Sequence, residues 1–222
     1  ANTEGNCRKA TVKTLTHDSI SLRGAGVVQI TQPAKGHRFT LDSILLADFC
    51  RIKPNDRVLE PGAGTGAISL LLAKKHPRSS FTAIEIQSSL IGLFERNISA
   101  NSLKGRITVL AQDLRKLKGV LAPGSFHAIV ANPPYTKEGT GRISPLAARQ
   151  TARHDRAASL EAWLDLQSFL RNKGRYCMVF PASRMAELVS LMRARRLEPK
   201  RLRLVHSYQD KPASLVLVEA AK

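Results

Sequence analysis

Asn132-Pro133-Pro134-Tyr135 follows directly on the apolar run Phe126–Ala131. Prolines lack a backbone N–H and hold the chain extended, so a strand ending this way projects the Asn132 side chain and nearby carbonyls outward. A planar amide beside a free carbonyl offers two acceptors to an amino group. Tyr135 adds a ring on which a flat molecule can stack. These residues suit a planar, amine-bearing substrate. A second group lies upstream, in Glu60-Pro61-Gly62-Ala63-Gly64-Thr65-Gly66. Its alternating glycines let the backbone turn tightly and approach a ligand, and the helix that follows presents free amides. Glu60 ends the preceding strand, Glu85 sits near the end of the next one, and Asp113 follows the third. A carboxylate in the position of Glu85 can accept from both hydroxyls of a ribose.

Positioning these groups requires a sheet with its strand ends aligned. The pattern from residue 57 alternates short apolar strands (57–60, 81–86, 106–111, 126–131, 175–180) with helices (67–75, 88–100, 160–170, 185–193). Segments 201–207 and 214–219 read as an antiparallel pair at the sheet edge. The expected fold is α/β, a Rossmann-like, doubly wound and mostly parallel sheet of seven strands. Ahead of it, Leu41, Ile44, Leu45 and Phe49 have helical spacing, with Thr40 in the N-cap position. Segments 19–23 and 27–30, split by Gly24-Ala25-Gly26, read as a small hairpin that covers the sheet. Residues 1–16 are polar, basic and without periodicity, and disorder is expected there. Residues 17–222, hairpin 19–30 included, are expected to form one domain.

Composition narrows the partners. Among 222 residues, 35 Lys and Arg face 17 Asp and Glu, a formal charge of +18. That excess points to a polyanion. No run reaches the length of a membrane span and no signal-peptide pattern opens the sequence, so the expected compartment is the cytoplasm. Cys7, Cys50 and Cys177 are scattered, and the six His show no ligand spacing, so neither a disulfide framework nor a metal site is expected. A monomer is the default expectation.

Asn-Pro-Pro-Tyr after the fourth strand of the alternating region resembles the signature of S-adenosylmethionine-dependent methyltransferases that modify exocyclic amines of bases or the glutamine amide. The resemblance implies that Glu60 faces the methionine end of the cofactor, Glu85 its ribose and Asp113 its adenine amine. The loop glycines Gly62, Gly64 and Gly66 would cradle it, with Phe39, Thr40 and Asn132 as neighbours. Glu60 replaces the more common Asp, and Pro61 is not the usual apolar residue. In Gly36-His37-Arg38-Phe39-Thr40, Arg38 would contact phosphate or substrate. Together with Ala152-Arg153-His154-Asp155, that segment is similar to the bacterial tRNA adenine methyltransferases that modify the purine next to the anticodon of a valine tRNA. The likeness runs from about Thr14 to the C-terminus.

The RNA would lie on basic segments. Loop 136–158 carries Lys137, Arg142, Arg149, Arg153 and Arg156 against Glu138 and Asp155, with His154 beside Arg153. A neutral amine loses its proton only after methylation, so His154 need not be a general base. Arg193, Arg195, Arg196, Lys200, Arg201 and Arg203 crowd eleven positions and read as a phosphate track. The expected activity is methylation of an adenine N6 amine in tRNA. A ribosomal-RNA base-amine methyltransferase, a protein glutamine methyltransferase of the release-factor kind and a non-enzymatic RNA-binding module stay open.

Overall fold

The computed structural model describes residues 14–134 and 158–222. A hairpin comes first, β1 (Leu15–Leu22) paired antiparallel with β2 (Gly26–Pro33). It is longer than the expected 19–30, because Leu15 and Thr16 pair with Pro33 and Gln32. Then follow α1 (Leu41–Phe49), β3 (Arg57–Pro61), α2 (Ala67–Lys75), β4 (Ser80–Glu85), α3 (Ser88–Ala100), β5 (Ile107–Ala111) and β6 (Phe126–Ala131). After the undescribed segment come α4 (Leu160–Asp165), β7 (Leu170–Pro181), α5 (Met185–Ala194), β8 (Glu198–His206) and β9 (Ala213–Ala221). Seven strands form one sheet in the order β5-β4-β3-β6-β7-β9-β8. The first five are parallel, and β9 and β8 complete the edge in antiparallel register.

Parallel strands covered on both faces must be apolar throughout. Val58-Leu59, Ala128–Ala131 and Tyr176–Phe180 are all buried. One apolar cluster joins the sheet to α1, α2, α3 and the hairpin, through Leu46, Leu71, Phe94 and Val28 among others. A second joins the opposite face to α4 and α5, through Trp163, Leu164, Leu188 and Met192. The chain reverses its direction of winding between β3 and β6, and an open α/β sheet binds ligands outside the carboxyl ends of its strands at such a point.

Two expectations change in detail. The helix expected over 160–170 ends at Asp165 and tightens into a 3-10 turn, Leu166–Phe169. Leu166 and Phe169, three apart and both buried, thereby face the core together before the chain drops into β7. β7 also starts earlier than expected: Leu170 pairs with Phe126, the register then shifts, and pairing with β6 resumes at Arg175 with Ala128. Thr40 holds the N-cap position of α1 but makes no side-chain cap bond; its carbonyl accepts from Ser43 N–H at 3.0 Å. Among the described residues, no helix is long and apolar enough to cross a membrane, and no group of His, Cys, Asp or Glu is arranged to hold a metal. Cys50 and Cys177 are free and buried.

Gly66 initiates α2 at φ +89°, and a Cβ there would sit 2.0–2.5 Å from the ring of Phe94 on α3. Gly66→Ala is therefore expected to cost about 1–3 kcal/mol from overpacking alone, with left-handed strain added. Urea denaturation of parent and variant measures it.

Candidate active site

The glycine loop is built from its own hydrogen bonds. Ala63 N–H donates to the Ile84 carbonyl and Gly66 N–H to the Ala63 carbonyl, each at 2.9 Å. Gly62, Gly64 and Gly66 all have positive φ. The side of Gly62 where a Cβ would stand is filled by the Trp163 ring, at 2.6 Å. Trp163 is held there from α4, whose Trp163 carbonyl accepts from the buried Tyr176 hydroxyl at 2.6 Å. Trp163 was not among the residues expected from sequence. Its signal was weak, a lone Trp in an ordinary helical pattern.

Glu85 ties the loop to the next strand. Its Oε2 accepts from Gly64 N–H at 2.8 Å, and its Oε1 from the N–H groups of Ile86 and Gln87 at 2.9 and 2.8 Å. Three backbone donors make a buried carboxylate tolerable, and its remaining lone pairs are available to a ligand. Glu60 behaves differently. Its Oε2 accepts from both the backbone N–H (2.9 Å) and the hydroxyl of Ser69, in the first turn of α2. Burial pushes its carboxyl up to about 8, against the ordinary 4.5, despite those bonds. Glu60 is thus a helix clamp, and its burial favours the protonated form.

Asp113 also has partners of its own. It accepts from the Arg115 backbone N–H at 2.9 Å and from the Arg115 guanidinium, and it caps the 3-10 turn Leu114–Lys116. The Arg115 side chain holds its carboxyl down at about 2. Asn132 ends β6 half-buried, and its Nδ2 donates to the Ser43 hydroxyl of α1 at 3.2 Å. That bond fixes the amide and leaves Oδ1 for another donor. Ser43 had no signal in the sequence beyond its place on α1.

These groups share one cavity of about 1100 Å³, whose wall includes Phe39, Thr40, Ser43, Glu60, Glu85, Asp113 and Asn132. A smaller one of about 310 Å³ adjoins it across Pro133, Pro134 and Trp163. The larger holds the chemistry, because it contains the glycine loop and both β3 and β4 acids. S-adenosylmethionine fits these residues. Among the described residues, and apart from its chain neighbours, no atom stands within 4 Å of a Cβ built on Gly64, so its backbone can approach a ligand. Glu85 beside it has acceptor capacity for hydroxyls.

The expected RNA contacts fare unevenly. Arg38 lines the cavity but is drawn into the hairpin: it donates to Thr16 Oγ1 and the Pro33 carbonyl and pairs with Asp18. Arg195 pairs with Asp165 at 2.7 Å. Arg201 stacks on the Phe49 ring, donates to the Phe49 carbonyl and pairs with the largely buried Glu219. It belongs to the packing of β8 on α1. Arg203 pairs with Asp48 and Arg193 with Glu198. Arg196 and Lys200 remain exposed. Tyr135, Lys137, Arg142, Arg149, Arg153, Arg156 and His154 lie outside the described residues.

Residues 37–154 match the family model described as methyltransferase small domain. The chain belongs to the methyltransferase small domain family. A tRNA1(Val) (adenine(37)-N6)-methyltransferase of Tolumonas auensis is 32% identical over 182 residues, covering 80% of this chain and 73% of the relative. The enzyme of the same name from Pasteurella multocida is 31% identical, covering 77% of this chain and 76% of the relative. Among solved structures, this methyltransferase is similar to TrmN from Thermus thermophilus (TM-score 0.57, 23% identity, 82% of this chain and 48% of that one). It is also similar in fold to an Agrobacterium tumefaciens protein described as a predicted O-methyltransferase (TM-score 0.66, 20% identity, 82% and 80%).

Glu60 gives this methyltransferase a pH signature. Its folded-state value lies above the ordinary 4.5 of an unfolded chain, so between about 4.5 and 8 the folded protein holds a proton that the unfolded one has lost. Stability from this group is fully present below that window and falls as pH rises through it. Glu60→Gln, compared with the parent by denaturation at pH 5, 6, 7 and 8, is expected to remove that share of the decline.

Proposed function

We propose that the protein is an S-adenosylmethionine-dependent methyltransferase acting on the exocyclic N6 amine of an adenine in tRNA, next to the anticodon. The observation that carries this reading is Asn132 at the end of β6, its amide anchored by Ser43, in the same cavity as the Glu85-bound glycine loop. The names of the relatives support adenine as the base and tRNA as its carrier. When bound, S-adenosylmethionine supplies an electrophilic methyl group on a sulfonium sulfur. The loop of Gly62, Gly64 and Gly66 and the Glu85 carboxylate hold the donor. Asp113 stands at the base end of the cavity; its carboxylate is already engaged by Arg115, so it serves as a charged cap more than as a free acceptor.

The target adenine must leave its stack to reach the cavity. Asn132 Oδ1 and the Pro133 carbonyl accept from the amine, and Tyr135 stacks on the ring. Those bonds aim the nitrogen lone pair at the methyl. Orientation and exclusion of water account for the catalysis, an effect of several kcal/mol, on the order of 7–11 at best. The amine proton is lost after transfer, which requires no strong base. The loop residues Lys137, Arg142, Arg149 and Arg153, with His154, would hold RNA beside the cavity. Further along the chain, Arg193, Arg196, Lys200 and Arg203 are exposed members of the C-terminal basic cluster, with Arg193 paired to Glu198 and Arg203 to Asp48.

Methylation of separated tRNA, ribosomal RNA and release factor, followed by digestion and mass spectrometry, tests the substrate. N6-methyladenine in tRNA is expected. Asn132→Ala should abolish turnover with little change in S-adenosylmethionine affinity, and Glu85→Ala should weaken that affinity, by about 1.5–3 kcal/mol for each charged hydrogen bond removed. Calorimetry beside single-turnover kinetics separates the two. Arg196 and Lys200, replaced together, should lower the steepness of the tRNA salt dependence by about 0.7 for each phosphate no longer neutralised. Arg201→Ala should instead lower stability. Filter binding across a salt series, beside denaturation, checks both.

A further inference from the structure

Three buried amide side chains meet the N-terminal hairpin, and two of them, Asn97 and Gln32, tie it to the cavity. Asn97 on α3 and Asn101, the residue that caps the C-terminus of α3, lie one turn apart and face the outer edge of β2. Asn97 Oδ1 accepts from Thr31 N–H at 2.8 Å and its Nδ2 donates to the Thr31 carbonyl at 3.0 Å. Asn101 repeats the pattern two residues along the strand: Oδ1 accepts from Gln29 N–H at 2.9 Å and Nδ2 donates to the Gln29 carbonyl at 2.7 Å. The i, i+4 rise of a helix is about 6 Å, close to the spacing of residues i and i+2 on a strand, so the two amides complete the ladder of β2.

Asn97 does one thing more. Its Nδ2 also donates to the Thr65 carbonyl, at 3.0 Å, inside the glycine loop. The Thr65–Gly66 peptide is then gripped at both ends, its N–H by the Ala63 carbonyl and its C=O by Asn97. Thr65 stands between the left-handed Gly64 and Gly66, where the flanking backbone is conformationally free. On the other side of the hairpin, Gln32 is fully buried. Its Oε1 accepts from Phe39 N–H at 3.0 Å, in the wall of the cavity, and its Nε2 donates to Asp18 on β1 at 2.8 Å.

We infer that the hairpin is a positioning element of the cofactor site, acting on the glycine loop through Asn97 and on the Phe39–Thr40 wall through Gln32. This rests on the functional reading above. A cover for the sheet needs apolar contact with α2 and α3, which Val28 and Ile30 supply. It does not need a fully satisfied amide shared between β2 and the loop, nor a second one shared between β1 and the cavity wall. Asn101 is the internal control. It makes the same pair of bonds to β2 as Asn97 and one more to the Asn97 carbonyl, and among the described residues it makes none to the loop.

The test is isothermal calorimetry with S-adenosylmethionine on the parent, Asn97→Ala, Gln32→Ala and Asn101→Ala, with Tm measured for each. Asn97→Ala and Gln32→Ala are expected to raise Kd about tenfold, the scale of one missing hydrogen bond. Asn101→Ala is expected to leave Kd within about twofold of the parent for a similar fall in Tm. Should Asn97→Ala fail to fold, Gln32→Ala against Asn101→Ala makes the same comparison. Kd values that follow Tm across the variants, or do not move at all, would overturn the inference. A parent that fails to bind S-adenosylmethionine would instead overturn the functional reading, and the inference with it.

Discussion

A carboxylate buried at the end of a strand is tolerable only if hydrogen-bond donors meet it there, and the structure depends on how that is done at Glu85. The donors are backbone N–H groups from two places, the glycine loop and the start of the connection to α3. One side chain therefore fixes the ends of β3 and β4 relative to each other. The loop glycines can hold left-handed geometry because Gly64 is tethered in this way. The cavity exists because the loop keeps its shape. Glu60 meets the same problem one strand away by a different route: it clamps α2 through Ser69, and burial raises its pKa towards the neutral form.

The wall of this cavity was largely legible in the sequence. Gly62, Gly64 and Asn132 follow an apolar strand and Glu85 ends one, and a parallel sheet delivers every strand end to one edge. Local pattern and topology together were enough. What the sequence did not carry was the partner of each polar group. Asp113 and Arg115 are two residues apart, and the cap they form competes with any ligand for the carboxylate. Glu60 reads as an anion until its burial is known.

The basic residues show the same limit over longer distances. Arg201 lies more than 150 residues from Phe49, on which it stacks, and Arg38 folds back onto Thr16 and Asp18. A guanidinium can serve as packing surface, ion-pair partner or phosphate ligand, and composition does not distinguish among these uses. A count of 35 Lys and Arg thus overstates what is available to a polyanion, because some of them are paired with Asp48, Asp56, Asp165 and Glu219. The asparagines of α3 carry no signal in the sequence, since nothing near them in the chain hints at the strand they meet.

The pairing of α3 with β2 has a bearing on the molecule's life in a crowded solution. A two-stranded ribbon normally presents two open flanks, each able to recruit an extended segment from another chain and seed a growing assembly. Along the middle of β2, that flank is occupied by side chains of a helix, which cannot be extended by one more strand. The ribbon can therefore stay short and remain tied to its own chain, with no lysine or proline standing guard in mid-strand.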